Sequence, residues 1–442
     1  MKKCPRIARI IALLVLSLFI VTTLAFAQEV KVVNPESVGM SSTMLENVDK
    51  VVKMGLEKKF FKGAVVLVAR HGKICYFKPF GEAEEGKSME TDAIFRLASM
   101  TKTITAAALM QLWDRGMFQL KDPISKYIPA FKSMKVVEMD AESQIKEVPA
   151  KREIRIQDLL SFTSGISATM LMRMSPLHAY VGKCFVKEGV QDMLSETYTK
   201  NLKENVKALA KCPLVFQPGE AWGYSQGATD VMGYLVEILS GKPFDRYIED
   251  HIFNPLKMKD FWFYPPKDVF SRIPAVYLKP GKLIKATKEW SMGPVALGSL
   301  YTFGKNKAYL AAGGGLHGPT YGFYRFAQML LNMGELDGAR VLSRQAVKLM
   351  TTIQVADGPK FRNYFTNNRW GYCVDVQADE KMNALNDWYG GKGSYGWRGF
   401  WSTLWINDPA DETVVMFMSQ IPRAGLSWGY KVHNAVSAAV IQ

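Results

Sequence analysis

The sequence predicts an α+β fold: an antiparallel sheet assembled from both ends of the chain and flanked by helices, with a large helical region inserted between. Three observations carry this. β-rich runs occur near residues 64–77 and again near 401–419, close to the two ends. Helical patterns fill most of the chain between them. Strands and helices are therefore segregated, which excludes the alternating order of a doubly wound parallel sheet. Composition agrees, since 442 residues at 48% hydrophobic and 22% charged can bury a large core, which rules out wholesale disorder.

In chain order, Lys2, Lys3, Arg6 and Arg9 precede an apolar run from Ile10 to Val21, which ends near Ala25-Phe26-Ala27. A basic start, a short apolar stretch and an A-x-A end form the pattern of a secretory signal peptide. The expectation is cleavage before Gln28 and export to the periplasm or medium; an inner-membrane anchor over residues 10–27 is the alternative. Ser41 to Leu56 then reads as a helix. Ala64 to Ala69 and Ile74 to Phe77 flank Arg70-His71-Gly72-Lys73, a glycine-containing turn, and read as a hairpin. Thr101 to Trp113 is rich in Ala, Leu and Met and stops at Arg115-Gly116, the mark of a buried helix. Further helices are expected over Gln157 to Leu160, Glu188 to Leu209, Ser225 to Ser240, Phe244 to Ile252, Tyr321 to Met333 and Ser343 to Met350. Trp401 to Ile406 and Thr413 to Ser419 flank Asp408-Pro409-Ala410-Asp411 as a second hairpin, and Tyr430 to Ile441 closes as a helix.

Charge and cysteine usage narrow the function classes. The formal net charge is +15, but part of it belongs to the leader, and the rest is dispersed. Lys146 to Lys151 reads as a solvated loop. With no arginine-rich arm or zinc-finger spacing, a nucleic-acid partner is not expected; weak association with an anionic membrane or cell wall stays open. Cys75, Cys184, Cys212 and Cys373 are too few for a disulfide framework. Cys184 and Cys212 flank one helical stretch, and pairing between them stays open, although free buried thiols are the expectation. The histidines His71, His178, His251, His317 and His433 show no ligand spacing, so no metal is expected. Met170-Leu171-Met172-Arg173-Met174 near His178 has the sulfur spacing of a Cu(I) site, but reads better as an apolar lid.

Chemistry concentrates in three places. Ser99-Met100-Thr101-Lys102 enters the buried helix, and residues three apart share a helix face. A lysine amine so placed takes the proton of a serine hydroxyl, provided that burial holds it largely neutral. The tetrad recurs at Ser143-Gln144-Ile145-Lys146, where no helix follows, so context favours Ser99. Gly223-Tyr224-Ser225-Gln226-Gly227 matches the G-x-S-x-G elbow of α/β-hydrolases. Pro218-Gly219 interrupts its approach, however, which favours Tyr224 as a proton carrier beside a serine–lysine pair. Gly396-Trp397-Arg398-Gly399 lies before the final hairpin, and Gly399 marks a close approach by a ligand or a neighbouring backbone.

Taken in order, these motifs resemble the serine hydrolases of the class C β-lactamase and penicillin-binding-protein fold, and within them the family VIII carboxylesterase and 6-aminohexanoate-dimer-hydrolase-like branch. Phe95 to Lys102 is similar to that branch's nucleophile segment, and Asp158 to Gly165 to its DLL-x-HTSG loop, with Phe162 where histidine is usual. Phe216 through Ser225, Gly313 to Leu316, Phe326 to Leu331 and Trp397 to Pro409 also fit. The resemblance implies a β-lactamase-like domain over residues 28–442, its α/β part spanning about 28–95 and 310–442 and its helical part about 96–309. It implies Ser99 as nucleophile, Lys102 as base, Tyr224 as proton relay and the N–H groups of Ser99 and Phe400 as oxyanion hole. Gln226, Trp397, Arg398, Gly399 and His317 are the implied substrate-binding residues.

Two positions depart from the lactamase pattern. Gln226 stands where lactamases place an asparagine, and Trp397 where they place the lysine that anchors a substrate carboxylate. An indole cannot do that, and Arg398 points to the opposite face of a strand. The expectation is an exported, cofactor-free esterase or amidase for small neutral molecules. β-Lactamase or DD-peptidase activity, or non-catalytic binding of cell-wall ligands, are the alternatives. Oligomeric state is not set by the sequence.

Overall fold

The structure, a computed structural model, describes residues 30–442 except 168–173, 193–194, 196–198, 286–290, 293–294, 297–307, 362, 364–365, 367, 379–389 and 424. The leader with Cys4, and Met170 to Arg173 of the methionine-rich segment, lie outside the described residues. Among those described, no helix is long and apolar enough to cross a membrane.

Helix α1 (Ser42–Glu57) opens on Ser41, whose hydroxyl caps the Met44 N–H. Strands β1 (Gly63–Arg70) and β2 (Lys73–Glu84) form the first hairpin, turning at His71 and Gly72, both at positive φ. After β3 (Lys87–Ser88) and β4 (Ile94–Arg96) comes helix α2 (Thr101–Asp114), buried along its whole length to Leu112. Residues 135–149 form a hairpin, β5 (Lys135–Met139), whose Val136 and Val137 are buried, with the more exposed β6 (Ile145–Pro149). The stretch Lys146 to Lys151, expected as a loop, is thus mostly strand. Ser143 sits in its turn at positive φ and Lys146 faces water, so the second S-x-x-K tetrad has no helix to act on.

The helical region holds α3 (Ile156–Leu160), α4 (Pro176–Glu188), α5 (Leu202–Leu209) and α6 (Gln226–Ser240). The single helix expected over Glu188 to Leu209 is not formed. Gly189 adopts a left-handed conformation that closes α4, and α5 starts afresh on its own Asn201–Glu204 capping box. A disulfide joins Cys184 of α4 to Cys212 beyond α5, correcting the expectation of free thiols; Cys75 and Cys373 are free and buried.

The chain then returns to the sheet through β7 (His317–Pro319), α7 (Thr320–Leu331), β8 (Arg369–Trp370), β9 (Asp375–Val376), β10 (Tyr395–Arg398), β11 (Thr403–Asp408) and β12 (Thr413–Ser419), and ends with α8 (Leu426–Ala438). The main sheet is antiparallel in the order β8-β9-β10-β11-β12-β1-β2-β3, so its two ends meet where β1 pairs with β12. Val65, Leu67 and Ala69 lie opposite Met418, Met416 and Val414 and face α2 and α7; Ala64, Val66 and Val68 join the second core, with α1 and α8. Strand periodicity alone thus sorts one continuous apolar run into two cores.

The Cys184–Cys212 bridge closes a loop of 28 residues, which by chain entropy stabilises the fold by roughly 2–4 kcal/mol. Replacing both cysteines by alanine should lower the midpoint of thermal unfolding by several degrees. Reductant should do the same to the unaltered protein and nothing to the double variant.

Candidate active site

Ser99 lies in a single tight turn, Ala98–Met100, that runs directly into α2. Ala98, immediately before it, is held at φ 45°. A left-handed alanine is strained, and such strain persists only where surrounding structure fixes it. That structure is β4 behind and the backbone of Leu97, whose N–H donates to the Leu316 carbonyl at 2.9 Å.

One helical turn on, Lys102 has no exposed surface. Its Nζ stands 3.4 Å from Ser99 Oγ, 2.6 Å from Gln226 Oε1 and 2.5 Å from the Gly313 carbonyl. A neutral amine has two N–H donors and one lone pair. In that form the two atoms that only accept, Gln226 Oε1 and the Gly313 carbonyl oxygen, can take both N–H groups, with Ser99 Oγ as the remaining partner. The Tyr224 hydroxyl donates to Ser99 Oγ at 2.6 Å, and Lys102 Nζ lies 4.9 Å from the Tyr224 ring centre.

Three segments are fastened around this cluster. The 311–316 segment is tied to α2 by Thr105 Oγ1 donating to Ala312 O and by Leu316 N–H donating to Thr101 Oγ1. A Cβ on Gly313 would collide with Thr229 Oγ1 and Gln226 Nε2, so only glycine brings its carbonyl to the lysine. The 213–224 segment hangs on the 162–165 loop through three backbone bonds: Val215 to Gly165, Gly219 to Thr163 and Gly223 to Phe162. Asp158 braces that loop, accepting from both Arg152 nitrogens and from the Arg155 N–H. The third segment is 397–403: Thr403 Oγ1 donates to Leu97 O, and a Cβ on Gly399 would run into both. The close approach read from Gly399 is therefore to neighbouring backbone. It brings the 397–403 segment against Leu97, two residues before Ser99.

An aromatic wall lines one side. Trp397 packs on Tyr224 at 5.8 Å between ring centres and meets Trp370 edge-on at 4.6 Å. Phe162 stacks on Trp370 at 5.2 Å and meets Tyr224 edge-on at 5.7 Å, and Trp222 completes the group against Trp370 at 5.3 Å. Two buried donors here, Gln226 Nε2 and Trp397 Nε1, have no hydrogen-bond partner among the described residues.

Of the residues singled out from sequence, Ser99, Lys102, Tyr224 and Gln226 converge, with Trp397, Gly399 and Phe400 around them. Arg398 does not join: it turns to the other side of the sheet, bonds the Tyr430 hydroxyl and lies near buried Asp375. His317 is fully buried in β7, its ring bonded to the backbone of Trp262 and Gly315; burial and nearby Arg96 push its pKa down to about 3. Neither side chain joins the Ser99 cluster, although the Arg398 guanidinium lies 4.9 Å from the Trp397 ring centre. Ser225 caps α6 by accepting from the Ala228 N–H, with its hydroxyl buried, so it serves as a helix cap and not as an elbow nucleophile. Sequence reasoning missed the Gly313 carbonyl, Trp222 and Trp370. A glycine run before β7 and tryptophans far apart in the chain were the available signals.

A family model described as Beta-lactamase matches residues 48–437. Protein Rv1367c of Mycobacterium tuberculosis is 31% identical over 365 residues, covering 81% of this chain and 85% of that one. Esterase EstB of Burkholderia gladioli is 32% identical over 225 residues, about half of each chain (50% and 52%). Among solved structures, EstCE1, a hydrolase with promiscuous acyltransferase activity, superposes with a TM-score of 0.72 at 22% identity, covering 89% of this chain and 98% of that one.

Gly399→Ala should push the 397–403 segment away from Leu97. The expected result is a loss of about 1–3 kcal/mol in stability from overpacking and slower labelling of Ser99 by a serine-reactive probe in the protein that stays folded, measured by chemical denaturation alongside labelling.

Proposed function

The chain belongs to the β-lactamase family and is a serine hydrolase, and from that premise we propose that it cleaves small neutral esters or amides through an acyl-enzyme on Ser99. The observation that carries this reading is the seat of Lys102: Gln226 Oε1 and the Gly313 carbonyl accept from Nζ, and Ser99 Oγ is its third partner at 3.4 Å, the one that the lone pair of a neutral amine would face. In the proposed step the Ser99 oxygen bonds to the substrate carbonyl carbon while its proton passes to Lys102 Nζ. The carbonyl oxygen gathers negative charge and is met by the Ser99 and Phe400 N–H groups; each such donor is worth ~2.7–4 kcal/mol in the transition state. As the tetrahedral centre collapses, Tyr224 hands a proton to the departing alkoxide or amine, and water later cleaves the acyl-enzyme.

The neutral character of the substrate follows from the wall. Trp397 occupies the position where a carboxylate-binding cation would stand, and its neighbours Tyr224, Trp370 and Phe162 are aromatic. Unpartnered Gln226 Nε2 and Trp397 Nε1 are donors, suited to a neutral acceptor such as an ester or amide oxygen. Esterase EstB among the relatives fits the same preference. Export with cleavage before Gln28 belongs to this reading, and the Cys184–Cys212 disulfide fits an oxidising compartment.

A fluorophosphonate probe should add one mass adduct, mapped to Ser99, and Ser99→Ala should abolish it and lower ester turnover by at least about 10³-fold. Labelling elsewhere, or none, sinks the mechanism. With activity in hand, Trp397→Lys should raise turnover of a chromogenic cephalosporin relative to a p-nitrophenyl ester; an unchanged ratio would count against the role given to the indole. Intact mass of protein recovered from the exported fraction should begin at Gln28.

A further inference from the structure

Behind Lys102 lies a buried carboxyl group that the mechanism above does not use. Asp230 sits on α6 one turn after Gln226 and is 1% exposed. Its carboxylate receives only donors: the Ala312 N–H at 3.1 Å on Oδ1, and Asn205 Nδ2 at 3.0 Å with the Tyr309 hydroxyl on Oδ2. Those partners are themselves committed. Asn205 also donates to the Gln191 carbonyl at 2.9 Å and accepts from the Gln191 N–H at 2.7 Å. The Tyr309 hydroxyl lies 3.0 Å from the Gln191 carbonyl. Three separate stretches of chain, around Gln191, Asn205 and residues 309–312, thus converge on one carboxylate.

Its Ala312 contact matters most, because the next carbonyl along, that of Gly313, accepts from Lys102 Nζ. Asp230 therefore fixes the acceptor that orients the lysine, and it lies in the same buried interior, where its ionisation and that of Lys102 are electrostatically linked. The charged and titratable groups facing it are Lys102 from α2, Asp192 from the segment beyond α4, and Tyr309. Burial pushes the Asp230 carboxyl up to about 7, against the opposing pull of Tyr309, Lys102 and Asn205; Asp192 adds to the rise.

We propose that Asp230 is a positioning residue and buried counter-charge for Lys102, seating the Gly313 carbonyl and stabilising the ammonium that forms when Lys102 takes the Ser99 proton. The proposal rests on Ser99 and Lys102 acting as read above. In that step the Ser99 O–H bond breaks, its electron pair goes to the acyl carbon, and a third N–H forms on Lys102. The new positive charge appears where solvent cannot reach it. An isolated buried ammonium is costly, and a nearby carboxylate offsets that cost.

The test reads the rate of Ser99 labelling by a fluorophosphonate against pH, in the full-length protein. Loss of the Asp230 charge makes Lys102 easier to deprotonate, so the acid limb should move to lower pH, by about one unit in Asp230→Asn. The plateau rate should fall at least tenfold, because the ammonium loses its counter-charge. Tyr309→Phe removes one donor from the carboxylate, which makes the carboxylate easier to protonate; its limb should shift in the same direction by less. A folded Asp230→Asn protein with an unaltered limb overturns the proposal, even when its plateau falls, since a merely structural residue would lower the rate at every pH alike. Should Asp230→Asn not fold, an unmoved limb in Tyr309→Phe overturns it equally. Absence of Ser99 labelling in the unaltered protein at any pH overturns the catalytic reading beneath it, and this proposal with it.

Discussion

A lysine amine with no contact to solvent constrains the centre of this molecule. Each N–H of a buried amine left without an acceptor costs on the order of 1–3 kcal/mol, so the chain must deliver acceptors to Lys102 from outside its own helix. It does so from two distant places, Gln226 at the start of α6 and Gly313 in the approach to β7. The packing of α2 on α6, the capping of α6 by Ser225 and the glycine at 313 are all ways of bringing those two oxygens to one nitrogen. An ordinary core lysine would be a liability. Here the arrangement that removes the liability also holds the amine 3.4 Å from Ser99 Oγ.

The aromatic wall solves a related problem on the other side of Ser99. Tyr224 must keep its hydroxyl 2.6 Å from the serine, while its ring is free to pack. Phe162 meets that ring edge-on and Trp397 lies tilted against it. Offset and edge-on aromatic pairs add about 0.5–1.5 kcal/mol each beyond area burial, so the wall is a stiff mount for the phenol as well as a surface for substrate. That explains why Phe162 can stand where a histidine is usual in the resembling branch. The loop is held by Asp158 and by backbone bonds from Gly219 and Gly223, and the position faces rings that a phenyl group packs against.

Much of this was legible in the sequence, and the rest was not for definite physical reasons. The β1–β2 hairpin was readable because β-branched runs flank a turn with a glycine, and α2 because its apolar run ends at Arg115-Gly116. Ser99 was separable from Ser143 because only one is followed by a helix. The break at Gly189 was missed because the stretch from Glu188 to Leu209 has helical composition on both sides, and a lone glycine costs a helix only about 1 kcal/mol. The Gly313 carbonyl was invisible as a ligand because a backbone oxygen has no residue-type signature. Trp222 and Trp370 meet across nearly 150 residues of chain, and no local pattern announces such a contact. His317 and Arg398 were placed near the cleft by analogy; the structure spends one on backbone carbonyls and the other on Tyr430.

Local backbone strain beside Ser99 is held by the same kind of hydrogen bond. Ala98, Phe162, Cys373 and Ser402 all hold positive φ, and all four are bonded into the segments that surround Ser99. Cys373 receives the Thr103 hydroxyl on its carbonyl and donates to Leu160, linking α2 to the loop that carries Phe162. Ser402 closes the turn after Phe400 by donating to the Ile421 carbonyl. Each such residue costs of order 1–3 kcal/mol. Non-glycine residues hold positive φ elsewhere in the fold as well, at Lys59, Lys257 and Glu412 among others, so the sign of φ does not by itself single out this site. What sets these four positions apart is their setting: the turns that carry them are tied by hydrogen bonds to the segments around Ser99.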